Sequence, residues 1–458
     1  MSETAIAGSE LAARGELLRA RRVVFGANRA TRLAAVVVFP IVAVELAFRP
    51  EVHWLHPAVL SAAVWFLALR SSYGQARFAP MGTTIITGIG TLTGLAAVSL
   101  LMVWLPGFTI SAPQLLVTAA AVFATAALVD AFTKKLGARR RLLLVGADDG
   151  IRELLGELPR RSHLFDVVGV VADRADDTIG GIRRLGGIRE LQPILREAQP
   201  DLVVLGAEAS RAEALAQVLD FASPLDIRVM DVHHLHEYAF GKVPVQHLSP
   251  TWFMGVLHLY QPAYSRIVKR TFDVIVAGVA LLLLLPVLAV VAATVRFSSR
   301  GPVFFRQLRL GEGGKIFSIF KFRTMVDGAE APGAAVWAAV DDVRITGVGR
   351  VLRRTRIDEL PQLWNVLRGE MSIVGPRPER PEFLELLRET VPFWTRRHLV
   401  KPGITGWAQV CHGYTADAMA TADKLAYDLY YLKYRSLVFD IAIALRTVGI
   451  ILTGFGSR

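Results

Sequence analysis

The chain has 458 residues, enough for two or three domains. Hydrophobic residues make up 53% of it and the mean hydropathy is +0.41, which excludes an ordinary soluble enzyme and points to membrane segments. A formal charge of +12 suits the positive flanks of membrane spans, anionic lipid and phosphate-bearing substrates. No basic-aromatic binding module accompanies that charge, so nucleic acid is not expected as a partner. The single cysteine, Cys411, excludes an intramolecular disulfide.

Residues 1–32 form a basic N-terminal segment without a signal-peptide arrangement, expected to be cytosolic. Four transmembrane helices are expected within 33–133, from apolar runs at Leu33–Phe48, Pro57–Leu69, Thr83–Leu105 and Leu115–Phe132. A span needs ~20 residues, so the second run must recruit Trp54 and Leu55. Arginines before the first run, Arg70 and Arg77 between the second and third, and Lys134 to Arg141 after the fourth place both ends of the bundle in the cytoplasm by the positive-inside rule.

Residues 139–250 alternate between strand and helix patterns and predict a Rossmann-like, doubly wound cytosolic domain. Leu142–Val145, Val167–Val171, Leu202–Leu205 and Ile227–Met230 are its strands. The loop from Gly146 lacks the central glycine of a dinucleotide fingerprint and offers Asp148 and Asp149 where a pyrophosphate would approach. The domain is therefore read as lacking a dinucleotide, with a regulatory nucleotide site as the alternative. Asp231-x-His233-His234-x-His236-Glu237 could suggest a metal, but loop and packing roles are the simpler reading.

Residues 265–458 are expected to be the catalytic domain. Its first element, 270–297, is apolar and interrupted by Pro286. A fifth spanning helix with a proline kink is one reading. Lys269 and Arg270 at one end and Arg296 and Arg300 at the other favour a re-entrant helix, with both ends on the cytoplasmic face. Near the C-terminus, 437–455 carries Asp440 and Arg446 in an apolar stretch, which predicts an interfacial helix rather than a span.

Between them lies the densest motif. Leu360, Leu363, Trp364 and Leu367 have helical spacing, Pro361 stands in the first turn and Gly369 stops the helix. Asp358 and Glu359 precede it among Arg350, Arg353, Arg354 and Arg356. The pair could simply cap the helix. Clustered arginine at a helix N-terminus also suits a polyanion, and that field is expected to lower the pKa of Asp358 and keep it ionised.

The run Arg354-Thr-Arg-Ile-Asp358-Glu359-Leu-Pro-Gln-Leu-Trp-Asn-Val-Leu, followed by Gly369-Glu-Met-Ser-Ile-Val-Gly-Pro376-Arg377-Pro378, resembles the signature of the bacterial sugar transferase family. These are monotopic polyprenyl-phosphate hexose-1-phosphate transferases. Lys269-Arg270-x-x-Asp273, Gly301–Gln307, Lys321-Phe-Arg323-Thr-Met, Asp342-x-Arg344-Ile-Thr and Lys401–Gln409 extend the likeness in the same order. The larger members resemble this chain in having four N-terminal spans and a Rossmann-like domain.

The resemblance implies a membrane protein that joins a four-span α-helical bundle, an α/β Rossmann-like domain and an α/β monotopic catalytic domain with a re-entrant helix broken at Pro286. It also implies transfer of a hexose-1-phosphate from a UDP-hexose to polyprenyl (undecaprenyl) phosphate, releasing UMP, as the priming step of exopolysaccharide, capsule or O-antigen synthesis. Asp358 would be the nucleophile that forms a covalent phosphosugar, and Glu359 would bind Mg²⁺ or activate the lipid phosphate. Arg377, stiffened by two prolines, would clamp phosphate, the alternative being a solvated arginine in a turn; Lys321, Arg323 and Arg344 would be further phosphate ligands, and each of those three could instead be a structural ion-pair partner. Such an enzyme would sit in the bacterial inner membrane, facing the cytoplasm in contact with lipid, and a homodimer is compatible with it. Two other readings are weaker. A membrane-bound sugar-nucleotide dehydratase or epimerase would need a second glycine fingerprint, and Tyr238-Ala-Phe-Gly-Lys242 stands apart from any. A degenerate scaffold would not need the intact Asp358-Glu359 pair.

Overall fold

The computed structural model describes residues 37–38, 40–44, 55–75, 83–104, 110–135, 139–161, 165–173, 177–207, 218, 220, 227–247, 266–329, 342–412 and 418–453. The basic N-terminal segment, much of the first apolar run and the loops around Pro50 and Pro106 lie outside them. The chain divides into two compact units, residues 1–77 with 81–137 and residues 78–80 with 138–458.

In the first unit, helices α1 (Leu55–Gln75), α2 (Thr83–Trp104) and α3 (Ala112–Lys135) pack around Trp65, Leu69, Val98 and Val122. Gly94 admits the Trp65 ring, since a Cβ there would stand 2.4 Å from it. Thr91 and Thr118 satisfy their buried hydroxyls locally by donating to the carbonyls of Thr87 and Gln114 four residues back, whereas Ser61 Oγ and Trp65 Nε1 are buried with no hydrogen-bond partner among the described residues. Ile85–Trp104 and Ala112–Val129 are long and apolar enough to cross a membrane, whereas α1 contains only a shorter apolar helix, Val59–Arg70. The structure thus bears out apolar membrane helices, without fixing their number at four.

The second unit begins with a six-stranded sheet. Its elements are β1 (Arg140–Val145), α4 (Asp149–Glu157), β2 (Phe165–Val171), β3 (Thr178–Ile179), β4 (Ile182–Gly186), α5 (Leu191–Ala198), β5 (Leu202–Leu205), β6 (Arg228–Asp231) and α6 (Val232–Phe240). The strand order is β3-β4-β2-β1-β5-β6, all parallel except the β3–β4 pair. Leu142 and Leu144 face a core shared with Leu154 and Leu235, while Leu143 and Val145 face Leu191 and Leu195 on the other side. That is the two-sided burial of a parallel sheet. Asp148 caps α4 by accepting from the Ile151 amide at 3.1 Å, and a Cβ on Gly206 would lie 2.1 Å from its other oxygen. A carboxylate of the chain itself fills the cradle between β1 and β5.

The histidines of α6 do not converge. His234 pairs with Asp231, while His236 approaches Glu157 and the Lys242 carbonyl. Among the described residues no three His, Cys, Asp or Glu side chains are grouped to hold a metal. Tyr238 packs edge-on against Phe165 while Lys242 bonds Glu157 and Asp423, so the two do not act as a pair.

Next comes α7 (Arg266–Ser298), then the hairpin β7 (Phe304–Leu310) and β8 (Ile316–Phe322), α8 (Gly347–Thr355), α9 (Gln362–Arg368), β9 (Ser372–Val374), α10 (Leu384–Thr390), β10 (Gly403–Thr405), α11 (Trp407–His412), α12 (Ala418–Tyr434) and α13 (Leu437–Thr453). Over its 33 residues α7 is helical through Pro286, so the expected helix-break-helix is not seen in the backbone. Proline removes one hydrogen bond, yet its φ is compatible with a helix. The middle of α7 exposes Val279, Leu282, Leu283, Leu285 and Val290. Its two ends both engage the catalytic part. At the start, Asp273 accepts from Ser372 Oγ and the Ile373 amide, and Arg270 donates to Val366 and Leu367. At the other end, Val291 and Val295 pack on Phe322 and Leu352.

The charges of α13 also depart from the expected amphipathic pattern. Asp440 is fully buried between Lys269 and Tyr431, and Arg446 lies over Trp407. Leu445, Val448 and Ile451 are its exposed large apolar residues among those described. The helix turns its charges inward because buried partners satisfy them, and leaves an apolar stripe outside.

Candidate active site

Thr346 caps α8 by accepting from the Gly349 amide at 2.9 Å. The helix ends at Arg356, whose left-handed φ of 60° turns the chain into a single 3-10 turn, Ile357–Glu359. A non-glycine residue holds that conformation only where its surroundings impose it. Asp358 and Glu359 therefore occupy this turn rather than the helix itself, and each is only 7% exposed.

The helix after it, α9, differs in face from the sequence expectation. Gln362, Leu363, Asn365 and Val366 are buried, and Trp364 is 53% exposed. Asn365 explains the rotation. Its side chain accepts from the Phe320 amide at 3.1 Å and donates to the Ser318 carbonyl at 2.8 Å, splicing α9 to the edge of β8. That splice fixes Lys321, one residue on, against Glu359.

Glu359 Oε1 accepts from Lys321 Nζ at 2.9 Å and from Arg377 Nη2 at 3.0 Å. Arg377 arrives on the loop after β9. Gly375 makes that loop possible, because a Cβ there would stand 2.3 Å from the Lys401 carbonyl. Burial alone would raise the pKa of Glu359, but Arg377, Lys321 and Arg356 outweigh it and hold the carboxyl well below its ordinary range. Asp358 behaves oppositely: burial and then the adjacent Glu359 charge push it up, against Lys321, Arg353 and Arg356. This corrects the expectation that the arginine field keeps Asp358 low, since burial and its own neighbour prevail. Asp358 Oδ1 is buried with no hydrogen-bond partner among the described residues. Lys321 is itself lowered by burial.

The remaining predicted phosphate ligands are elsewhere. Arg323 donates from Nη2 to the carbonyls of Val295 and Ser299 and to Ser299 Oγ, closing the end of α7. Arg344 forks onto Asp342, with a further bond to the Ala329 carbonyl. Arg350 and Arg354 lie on the exposed side of α8. The structure thus unites Asp358, Glu359, Lys321 and Arg377, and separates Arg323 and Arg344 from them.

Two arginines behind the site went unread in the sequence. Arg309 donates to the Pro378 carbonyl at 3.0 Å and is pushed down to about 10 by burial and by Arg377 beside it. Strand alternation could have found it, because Arg309 and Lys321 share one face of the β7–β8 hairpin. Arg397 donates to the Arg377 carbonyl at 3.0 Å. It sits in a 3-10 segment that no sequence period marks.

Fold and site together define a class: a membrane-associated α/β enzyme with a buried carboxylate pair framed by cations. Residues 264–454 match the family described as bacterial sugar transferase. The chain is 43% identical over 232 residues to the UDP-N-acetylgalactosamine-undecaprenyl-phosphate N-acetylgalactosaminephosphotransferase of Aeromonas hydrophila, covering 51% of this chain and 54% of that protein. It is 35% identical over 326 residues to the UDP-glucose:undecaprenyl-phosphate glucose-1-phosphate transferase of Escherichia coli, covering 68% of each. With the uncharacterized sugar transferase EpsL of Bacillus subtilis it shares 42% identity over 192 residues, 42% of this chain and 91% of that one. The match therefore spans about half of the first relative's length and about two thirds of the second's. The chain belongs to the bacterial sugar transferase family, a family of phosphoglycosyl transferases.

Proposed function

We propose that this enzyme transfers a hexose-1-phosphate from a UDP-sugar to undecaprenyl phosphate, the kind of transfer its relatives' names describe for them, and releases UMP. The observation that carries the reading is the buried pair, in which Glu359 is doubly neutralised while Asp358 retains an unpartnered oxygen. Asp358 attacks the phosphorus that bears the sugar. The bond from that phosphorus to the UMP oxygen breaks, UMP leaves with the electron pair, and an aspartyl phosphosugar remains. An oxygen of the lipid phosphate then attacks the same phosphorus, giving a polyprenyl diphosphate sugar and returning the Asp358 carboxylate. Arg377 and Lys321 offset the charge gathered when two anions meet, and that is the principal demand of phosphoryl transfer.

Mg²⁺ fits the donor set in part. The orphaned Asp358 Oδ1 suits a hard cation, while the Glu359 oxygen that meets Lys321 and Arg377 is already engaged. Glu359, through the oxygen that Lys321 and Arg377 leave, and Asp358 would hold the ion, which when bound would supply charge neutralisation for the phosphates.

The α7 helix carries the topological part of the proposal. A straight helix of that length would run ~50 Å, yet both ends serve one domain while the apolar middle stands exposed. A re-entrant path bent at Pro286, with both ends on the cytoplasmic side of the inner membrane, accounts for this. The sheet domain is read as Rossmann-like and without a dinucleotide, its cradle taken by Asp148. Arg323 and Arg344 act structurally, at the end of α7 and beside Asp342. The product would prime exopolysaccharide, capsule or O-antigen assembly. Assaying UMP release in detergent with undecaprenyl phosphate and a panel of UDP-sugars tests the reading. Release dependent on both substrates supports it, and no release with any UDP-sugar defeats it.

A further inference from the structure

A small pocket lined by Pro376, Arg377, Pro378, Arg397 and His398 borders the Pro376-Arg377-Pro378 loop. Two polar tethers hold the loop's backbone carbonyls. Arg309 takes the Pro378 carbonyl from the hairpin side. Arg397, 3% exposed, takes the Arg377 carbonyl from behind at 3.0 Å and reaches Glu379 Oε1 at 3.4 Å. Its plane lies over the Trp394 ring, 4.3 Å from the centroid, and Nη2 meets Asp428 Oδ2 at 2.7 Å. Asp428 stands on α12, only 1% exposed.

We propose that Arg397, with Asp428 as its counter-charge, is a positioning residue that holds Arg377 in its phosphate-binding pose. The proposal rests on the reading of Arg377 as the phosphate clamp. A guanidinium serves this role and an ammonium does not. One planar fork reaches a backbone carbonyl, a carboxylate on the neighbouring loop and a carboxylate on a helix at once, while stacking on an indole. Arg397 touches no reacting atom, and its effect passes through the Arg377 backbone.

Asp428 gives the arrangement a pH signature. Burial pushes its carboxyl up to about 6 and Glu379 adds to the rise, while Arg397 and Lys424 oppose it. As pH falls through that value Asp428 loses its charge, and the Arg397 fork loses its anchor on α12.

The test is a double-mutant cycle on the full-length enzyme in detergent, with undecaprenyl phosphate and the UDP-sugar it turns over best. Arg397→Lys should lower kcat/KM about tenfold, as expected for one charge-assisted contact. In an Arg377→Ala background the same change should cost less than about twofold, because the group it positions is gone. Wild type should show an activity limb near pH 6 that Asp428→Asn flattens, and Asp428→Asn carries the same cycle if Arg397→Lys does not fold. Losses that multiply in the double mutant overturn the proposal, as does a wild-type-like Arg397→Lys beside an impaired Arg377→Ala. A wild-type-like Arg377→Ala overturns the clamp itself and the proposal with it.

Discussion

Replacing Glu359 with glutamine probes both carboxylates at once. Oε1 of Glu359 serves Lys321 at 2.9 Å and Arg377 at 3.0 Å, and the amide carbonyl of glutamine can accept from both while offering no charge. Removing one side of a buried ion pair costs about 3–5 kcal/mol. The Arg377 side chain keeps 30% of its surface in water, so the low end, ~3 kcal/mol, is expected. A second consequence falls on Asp358. After burial, the charge of Glu359 is the largest influence raising its pKa, so Glu359→Gln should move the titration of Asp358 to lower pH.

The signs are opposite for the two groups. Asp358 is raised in the folded state, so its stabilising contribution is complete below its unfolded pKa and is lost as pH rises through the folded one. Glu359 is depressed, so its contribution is present above about 4.5 and is lost as pH falls. On the proposed mechanism, raising the pH in wild type therefore forms the Asp358 nucleophile at some expense of stability. Phosphosugar labelling from UDP-sugar alone, followed against pH beside thermal unfolding in the same detergent, reads both effects. Labelling that rises at the wild-type pH in Glu359→Gln, or unchanged stability near neutrality, would refute the electrostatic account.

Asp358→Asn should form no adduct with UDP-sugar and turn over at least ~10³-fold more slowly; turnover near the wild-type rate removes it as nucleophile. Arg377→Ala should lose more kcat/KM than Arg377→Lys, by about tenfold, because a bidentate fork suits phosphate; equal and mild losses return it to a solvated turn. Activity should vanish with EDTA and return with Mg²⁺, and indifference to chelation removes the metal. In a Cys411→Ser background, Arg266→Cys and Ser299→Cys should both be labelled only from the cytoplasmic side; external labelling of either makes α7 a true span.

The sequence made the site's chemistry legible because that chemistry is local. Asp358, Glu359 and Arg377 lie within twenty residues of one another, and Lys321 falls in a motif of its own. The unbroken apolar run Leu142–Val145 of β1 likewise announced a sheet buried on both faces. What could not be read depends on contacts across the fold. Arg323 and Lys321 are two residues apart on the same face of a strand pattern, yet β8 ends at Phe322 and sends Arg323 to the end of α7 instead. Leucine spacing suggested that Trp364 faces inward, whereas Asn365 turns the helix by bonding the β8 edge. The direction of the Asp358 shift was missed because arginines can be counted in a sequence and burial cannot.

Arg270 has one further consequence. Its guanidinium serves as the donor for the last carbonyls of α9, at 2.5 Å to Val366 and 2.6 Å to Leu367. The opposite end of that short helix follows directly on the Asp358-Glu359 turn. Synthesis delivers α7 first, and the helix it terminates emerges roughly a hundred residues later, so the last turn of α9 is capped only when the two segments meet. The exposed apolar helix and the candidate catalytic turn are thereby joined through one guanidinium, and without the Arg270 fork the last carbonyls of α9 would lose their donors.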